Sequence, residues 1–487
     1  MRLRLLVPLL AVPFAADPAR AVEASPPRQV TLQIYDSGLT LVNELRSLVV
    51  PAGESPVVVR PLPARLDPAS VSVTPTAGGR GLDVLEQRFE HDLADAGRLL
   101  RRYLERAVTV GSGAAAREGR LVGLPAWREA PYASEPLVLA QPDGSLLSFF
   151  SANDAGRVSF PGAASVAFAQ PTLLWQARPA AEGQQNFRLG YLVEGLSWRA
   201  VYDVVLAAEA TQAQLSGRVG IENRSGGRYE DASVMLVETE RGRLVDTIAD
   251  AFESPPHRYA YGIPVPRDER SVASLAPVQT HAIERKITLA DGDTVYVPLA
   301  SALQLPVDRI FVYDGVRFDR FQRNRRNDWN YGTEYHTTVD THLEFENTGS
   351  AGLGVHLPPG RLRLYQQRAD GAVDLLGEDA LASVASGARG QVRVGPARGL
   401  RGERERTGYT EVRPLREYEE SFEIRLSNDS DQAAVIRVVE HLYRWSEYEI
   451  VKSDAEYKVT GPQTIEFRPE LKPGGRRAIH YTVRYRW

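Results

Sequence analysis

Ile479-His480-Tyr481-Thr482-Val483-Arg484-Tyr485-Arg486-Trp487 closes the sequence with an unbroken two-residue alternation. A period of two sends Ile479, Tyr481, Val483, Tyr485 and Trp487 to one face of a strand and His480, Thr482, Arg484 and Arg486 to the other. One face is oily and the other wet, as in a strand lying over a core. The same pattern recurs upstream, where Ile465 and Phe467 flank Glu466, and where Phe422, Ile424 and Leu426 alternate with Glu423, Arg425 and Ser427. Pro473-Gly474-Gly475 supplies turn chemistry and reads as the tip of a hairpin joining the last two strands. Antiparallel strands with one apolar face pack as a sandwich, so residues 346–487 are expected to form an immunoglobulin-like domain.

Further upstream the pattern persists. Trp198, Ala200, Tyr202, Val204 and Leu206 share one strand face, and a central sandwich is expected over 171–345, interrupted by a proline-rich crossover from Glu253 to Ala282. Residues 83–170 read as one short helix plus a small barrel-like β domain. The stretch Leu82 to Leu104 has helical spacing throughout, yet Val84 to His91 also fits a strand, with Asp95 capping a short helix that ends near Glu105. Residues 22–82 begin with a hairpin in which Val30, Leu32 and Ile34 alternate before Asp36-Ser37-Gly38 turns the chain. Residues 1–21 read as an export signal: Arg2 and Arg4, an apolar stretch from Leu5 to Ala16, and the small-x-small site Ala19-Arg20-Ala21. The fold class expected is therefore mainly β: several antiparallel sandwiches, a small barrel-like insert and one short helix.

Composition agrees with these assignments. A chain of 487 residues has room for about three domains. With 43% hydrophobic and 25% charged residues it is neither a disordered chain nor a membrane bundle, and Gly 40 with Pro 32 favours turns over long helices. Cys 0 excludes thiol nucleophiles, Cys-ligated zinc, iron–sulfur clusters and disulfides. No cofactor is expected. Removing the leader would take three arginines and one aspartate from a formal net charge of −4, leaving −6, so nucleic acid is not expected as a partner. No later run reaches the roughly 18 apolar residues of a spanning helix, so the mature chain should hold no transmembrane segment. The expected location is outside the cytoplasm, periplasmic or extracellular.

Several blocks resemble one bacterial family. Tyr35-Asp36-Ser37-Gly38-Leu39-Thr40-Leu41-Val42 with Val50-Pro51-Ala52-Gly53 is similar to its opening hairpin, and Leu62-Pro63-Ala64-Arg65-Leu66-Asp67-Pro68-Ala69-Ser70-Val71 to its next segment. Tyr191-Leu192-Val193-Glu194-Gly195-Leu196-Ser197-Trp198-Arg199-Ala200 resembles its central block, as do Leu357-Pro358-Pro359-Gly360 and Leu376-Gly377-Glu378-Asp379. Val439-Glu440-His441 with Arg444-Trp445-Ser446 resembles its tail. The family is the bacterial domain of unknown function four-one-three-nine, shared with the mucoidy-inhibitor-A-like proteins, whose long heptad-rich middle this chain lacks. The resemblance implies an exported, mostly β protein and transfers no catalytic residues.

Two constellations stand out. Arg317, Arg320, Arg323, Arg325 and Arg326 are interleaved with Phe318, Phe321, Trp329, Tyr331 and Tyr335. Guanidinium forks suit anionic groups and aromatic faces suit sugars, so Arg320, Arg323, Arg325, Arg326, Trp329 and Tyr331 form the candidate binding set; the structural alternative is a long hairpin tip whose aromatics stack on one another. Downstream, His336, Asp340 and His342 share a strand face with metal-like spacing, although a solvated face gives the same pattern and no metal is expected. Gly111-Ser112-Gly113 lacks a βαβ setting and reads as a turn. The run holding Glu403, Glu405, Glu417, Glu419 and Glu420 beside Arg401, Arg404, Arg406 and Arg416 reads as a mixed-charge solvated surface. The function expected is a non-enzymatic envelope module that binds a protein or an anionic glycan. The alternative is a metal- or carboxylate-dependent hydrolase of envelope polymers.

Overall fold

The computed structural model describes residues 21–76, 81–91, 96–124, 137–149, 157–162, 168–207, 211–239, 277–316, 332–333, 335–414 and 416–486. Residues 1–20, which hold nearly all of the expected export signal, most of the proline-rich crossover and Trp487 lie outside them. Among the described residues strands dominate and the single α-helix is Ala96–Arg102, so the fold is mainly β. The chain forms two compact units, one running to Trp198 and resuming over Ile221–Val295, the other comprising Arg199–Gly220 and Tyr296–Trp487.

In the first unit Gln29–Tyr35 and Leu39–Val50 form the expected hairpin. Gly38 turns it with φ 85°, a conformation that favours glycine. Gly183–Glu194 pairs antiparallel along the whole of Leu39–Val50, and Tyr229–Thr239 lies parallel to the first strand. A second sheet joins Val22–Glu23, Ser55–Val59, Thr172–Pro179 and Leu82–Glu90. Trp175 from this sheet meets Phe187 from the other edge to face, with ring centroids 5.9 Å apart, which closes a sandwich. Leu82–Glu90 is thus a strand, with the helix following it, and the shorter of the two helical readings holds. The insert after the helix is an open five-stranded sheet and not a closed barrel; its core of Val108, Val110, Leu121 and Leu139 is covered by Leu100 and Tyr103.

Arg46 is fully buried in this unit. Its Nε donates to Glu44 at 2.6 Å, Glu44 also accepts from Tyr191 Oη at 2.7 Å, and the remaining guanidinium protons reach the carbonyls of Ser25, Arg60 and Pro61. A buried charge is tolerated only when paired and hydrogen-bonded, and this one fastens two chain segments to the sheet.

The second unit contains a five-stranded sheet in which Leu196–Leu206 runs parallel to Gly360–Gln367. Tyr202, Leu215, Leu343, Phe345, Leu362 and Leu364 fill the core beside it. Its second sheet has ten strands, and the two strands at the ends of its order, Tyr448–Ser453 and Tyr457–Gly461, are consecutive in the chain. Only Asp454-Ala455-Glu456 separates them, so the sheet doubles over on itself. Phe422, Ile424, Leu426, Ile479, Tyr481, Val483 and Tyr485 pack with Ile436, Val438, Ile465 and Phe467 as one cluster, while His480 is exposed, as the alternation requires. Not every pairing is antiparallel: Asp308–Asp314 runs parallel to Ala434–His441.

The Pro473-Gly474-Gly475 turn does not join a hairpin. Thr464–Phe467 pairs with Ala434–His441, whereas Arg476–Arg486 pairs with Glu417–Asn428 and Tyr448–Ser453, so the turn carries the chain between layers. Asn428, buried at the end of its strand, holds that turn. Its backbone N–H donates to Gly475 O, its Nδ2 to Leu471 O and Lys472 O, and its Oδ1 accepts from Ser430 N. Asn223 repeats the arrangement with Asp293 O, Leu289 O, Ala290 O and Ser225 N. Asn347 repeats it with Ala388 O, Val384 O, Ala385 O and Gly354 N. One supersecondary unit, a strand ending in Asn and an arch returning beside it, thus occurs three times without a fixed sequence period.

Candidate functional site

Arg320, Arg323, Arg325, Arg326, Trp329 and Tyr331 lie outside the described residues. The strands that carry their stretch are described. Asp308–Asp314 and Thr338–Glu346 pair antiparallel from Asp308↔Glu344 to Val312↔Asp340, so the expected hairpin stem is present. Beyond the ladder His336 N donates to Gly315 O at 3.1 Å, and Tyr313 Oη donates to His336 O at 2.9 Å. Tyr313 is fully buried, and burial pushes its phenol up. Gly315 and Gly402 crowd its ring so closely that a Cβ at either would collide with it.

The far end of the stretch is fixed by a buried ion pair. Arg404 Nη1 donates to Gly332 O at 2.8 Å, while its Nε reaches both oxygens of Glu440 at 3.1 and 2.8 Å. Tyr481 Oη donates to the same carboxylate, and the Arg404 guanidinium lies 3.9 Å from the centroid of the Phe422 ring. Burial opposes the Arg404 charge, yet Glu440 beside it holds the group above its ordinary range. Gly332 has φ 76° and packs on Tyr443 with no room for a Cβ.

Tyr443 leads to a second buried anion. Glu420, wholly inaccessible, accepts from Tyr443 Oη at 2.7 Å, Arg406 Nη1 at 3.0 Å and Arg444 Nη2 at 2.8 Å. Arg406 and Arg444 both lie over the Tyr409 ring, at 5.1 and 5.3 Å. Burial first, and then the Glu420 charge, push the Tyr443 phenol up, so it remains a donor. Both oxygens of each carboxylate already hold a donor from the protein, and neither acid is placed to protonate or attack a ligand.

This overturns the reading of the run around Glu403 as one solvated surface. Glu403, Glu405 and Glu423 do surround Arg425 on the exposed face. Gly402, Arg404 and Arg406, however, take the inward positions of the same strand, Arg389–Arg413, and Glu417 and Glu420 are buried on the next. Alternation marks which positions turn inward but not that an inward arginine has a carboxylate waiting 36 residues away.

Two of the three metal-like residues are engaged elsewhere. Asp340, expected on a wet face, is buried and bound by Arg393 of the neighbouring strand at 2.8 Å. His342 Nδ1 accepts from Gln391 Nε2 at 2.7 Å, and burial lowers its imidazole. His336 stands against Tyr313 with ring centroids 6.0 Å apart, its two ring nitrogens lacking a hydrogen-bond partner among the described residues. The three are not gathered into one ligand set among the described residues. Comparison with protein-family models and with curated proteins finds no match.

Proposed function

We propose that this chain is an exported, non-enzymatic protein of the cell envelope that binds an anionic glycan through the arginine and aromatic stretch, and that it is a member of the family its blocks resemble. The observation that carries the reading is the anchoring of that stretch at both ends: Tyr313 with His336 and Gly315 at the strand stem, Arg404 with Gly332 and Glu440 at the base. Binding loops are effective when a rigid scaffold presents them, and two buried anions with their guanidinium partners give such a scaffold. The arginines offer forks for carboxylate or phosphate groups, and Trp329 and Tyr331 offer faces for sugar rings. The engagement of Glu420 and Glu440 by the protein's own donors favours binding over carboxylate-based hydrolysis.

The direct test is crosslinking of the tagged protein in growing cells, with mass spectrometry of the captured material and of the mature N-terminus. An N-terminus at or near Val22 with captured acidic glycan supports the reading. A Met1 species confined to the cytosol, or capture of no envelope polymer, contradicts it.

A further inference from the structure

A second polar site lies in the first unit, at a corner where three turns interlock. Arg65 N donates to Ser225 O at 3.0 Å, Glu194 N to Arg65 O at 3.3 Å, and Arg224 N to Gly195 O at 2.7 Å. Gly195 has φ 95°, and a Cβ there would strike the Arg224 carbonyl, so the corner closes only around glycine. The result is an open cleft of about 530 Å³, within the size range of small-molecule sites.

Its charged lining is balanced but not mutually satisfied. Arg224 pairs with Glu222 on the rim. Arg65 and Glu194 are neighbours through the backbone, both exposed and both lining the cleft, yet neither side chain has an ion-pair or hydrogen-bond partner among the described residues. Ser37 and Ser197 line the same space. One free guanidinium, one free carboxylate and two hydroxyls match a ligand bearing one carboxylate among several hydroxyl groups. Three of the four segments that line the corner, those of Ser37, Arg65 and Glu194, belong to blocks that carry the family resemblance.

The geometry points to a second subsite for an acidic saccharide unit here, with Arg65 gripping the carboxylate and Glu194 and the serines receiving and donating to sugar hydroxyls. This inference rests on the proposed glycan-binding function. A fork-to-carboxylate contact is directional and charge-assisted, so discrimination between an acidic sugar and its neutral analogue is assigned to Arg65.

The test uses the mature full-length protein and two tetrasaccharides in calorimetry, one containing glucuronic acid and the other its carboxyl-reduced counterpart. The wild type should bind the acidic form at least tenfold more tightly. Arg65→Gln should abolish that preference while keeping its melting temperature, since the side chain is exposed. Equal affinity of the wild type for the two sugars, an unchanged preference in Arg65→Gln, or no binding by the wild type overturns the subsite. The Arg320, Arg323, Arg325 and Arg326 to Ala variant separates the two readings. If that variant loses an acidic polymer that Arg65→Gln still binds with wild-type preference, the subsite fails and the proposed function stands; if the wild type binds no acidic saccharide of any length, both fail.

Discussion

Arg404 and Arg46 solve the same problem in the two units. Each is a buried guanidinium paired with one glutamate that also accepts from a tyrosine, and each also donates to backbone carbonyls outside its own strand. Removing one partner of such a pair leaves an uncompensated buried charge, so Arg404→Met should cost roughly 3 to 5 kcal/mol. Arg404→Met with Glu440→Leu should cost clearly less than Glu440→Leu alone, which strands the guanidinium. Denaturant unfolding checks both; a double variant no better than the worse single one would show that the pair's partners, not its charge, set the stability. Phe467→Ala should cost about 3 to 5 kcal/mol because Phe467 is fully buried, whereas His480→Ala, on the exposed face, should cost little. Equal losses would mean that the strand faces are reversed. The alternation around Phe422, Phe467 and Ile479 was readable because each residue type states its own preference for oil or water. Arg404 was not, because a paired arginine inside and a solvated arginine outside look the same in one dimension.

At the scale of elements, the three asparagines carry the most specific expectation. Asn223, Asn347 and Asn428 each give an amide to carbonyls of an arch that nothing else in their strand reaches, and each is buried. Replacing any of them with Ala removes its amide's contacts to these carbonyls, some of which keep a backbone donor, as Val384 O does from Leu357 N, and should cost about 1 to 3 kcal/mol. Losses in this range are expected at all three positions by urea unfolding; a neutral substitution at one would show that its arch is held by other contacts. The sequence pattern marks the strand through Phe422, Ile424 and Leu426 that ends at Asn428, but reads Pro473-Gly474-Gly475 as a hairpin tip. A proline-glycine turn has the same composition whether it reverses a strand within one sheet or passes it to the opposite layer. The side chain that decides between the two, Asn428, lies more than forty residues earlier. Asp340 differs from expectation for a related reason: Arg393 of the neighbouring strand pairs with it, and nothing near Asp340 in the sequence marks that partner.

For the molecule as a whole, the buried phenols make stability depend on pH on the alkaline side. Burial, and then the neighbouring carboxylate, raise Tyr443 and Tyr481 above the ordinary phenol value of 10.0, and Tyr191 is raised in the same way beside Glu44. A group raised by folding stabilises fully below its unfolded value and loses that contribution as pH climbs through its folded one, so melting temperature should fall above about pH 10. Tyr443→Phe should lower stability at neutral pH and fall less steeply above pH 10; a slope identical to the wild type would mean that Tyr443 keeps its proton no more firmly folded than unfolded. The overall class, mainly β with a short helix, was legible because periodicity and turn chemistry are local. Which buried charges hold the candidate binding stretch was not, because those contacts are made only once distant strands meet.

The measurement that bears most directly on the account is binding of an acidic envelope polysaccharide at low and high salt by the wild type, the Arg320, Arg323, Arg325 and Arg326 to Ala variant, and a Trp329→Ala, Tyr331→Ala variant. Exposed charges act over a Debye length of about 8 Å at physiological salt, so affinity should weaken as salt rises, and the arginine variant should lose most of the salt-dependent part. The aromatic variant should lose the affinity that survives high salt, because stacking area is not screened. A wild type and an arginine variant that bind the polymer equally well, or that both fail to bind it, would contradict the central claim and leave the stretch as a structural hairpin.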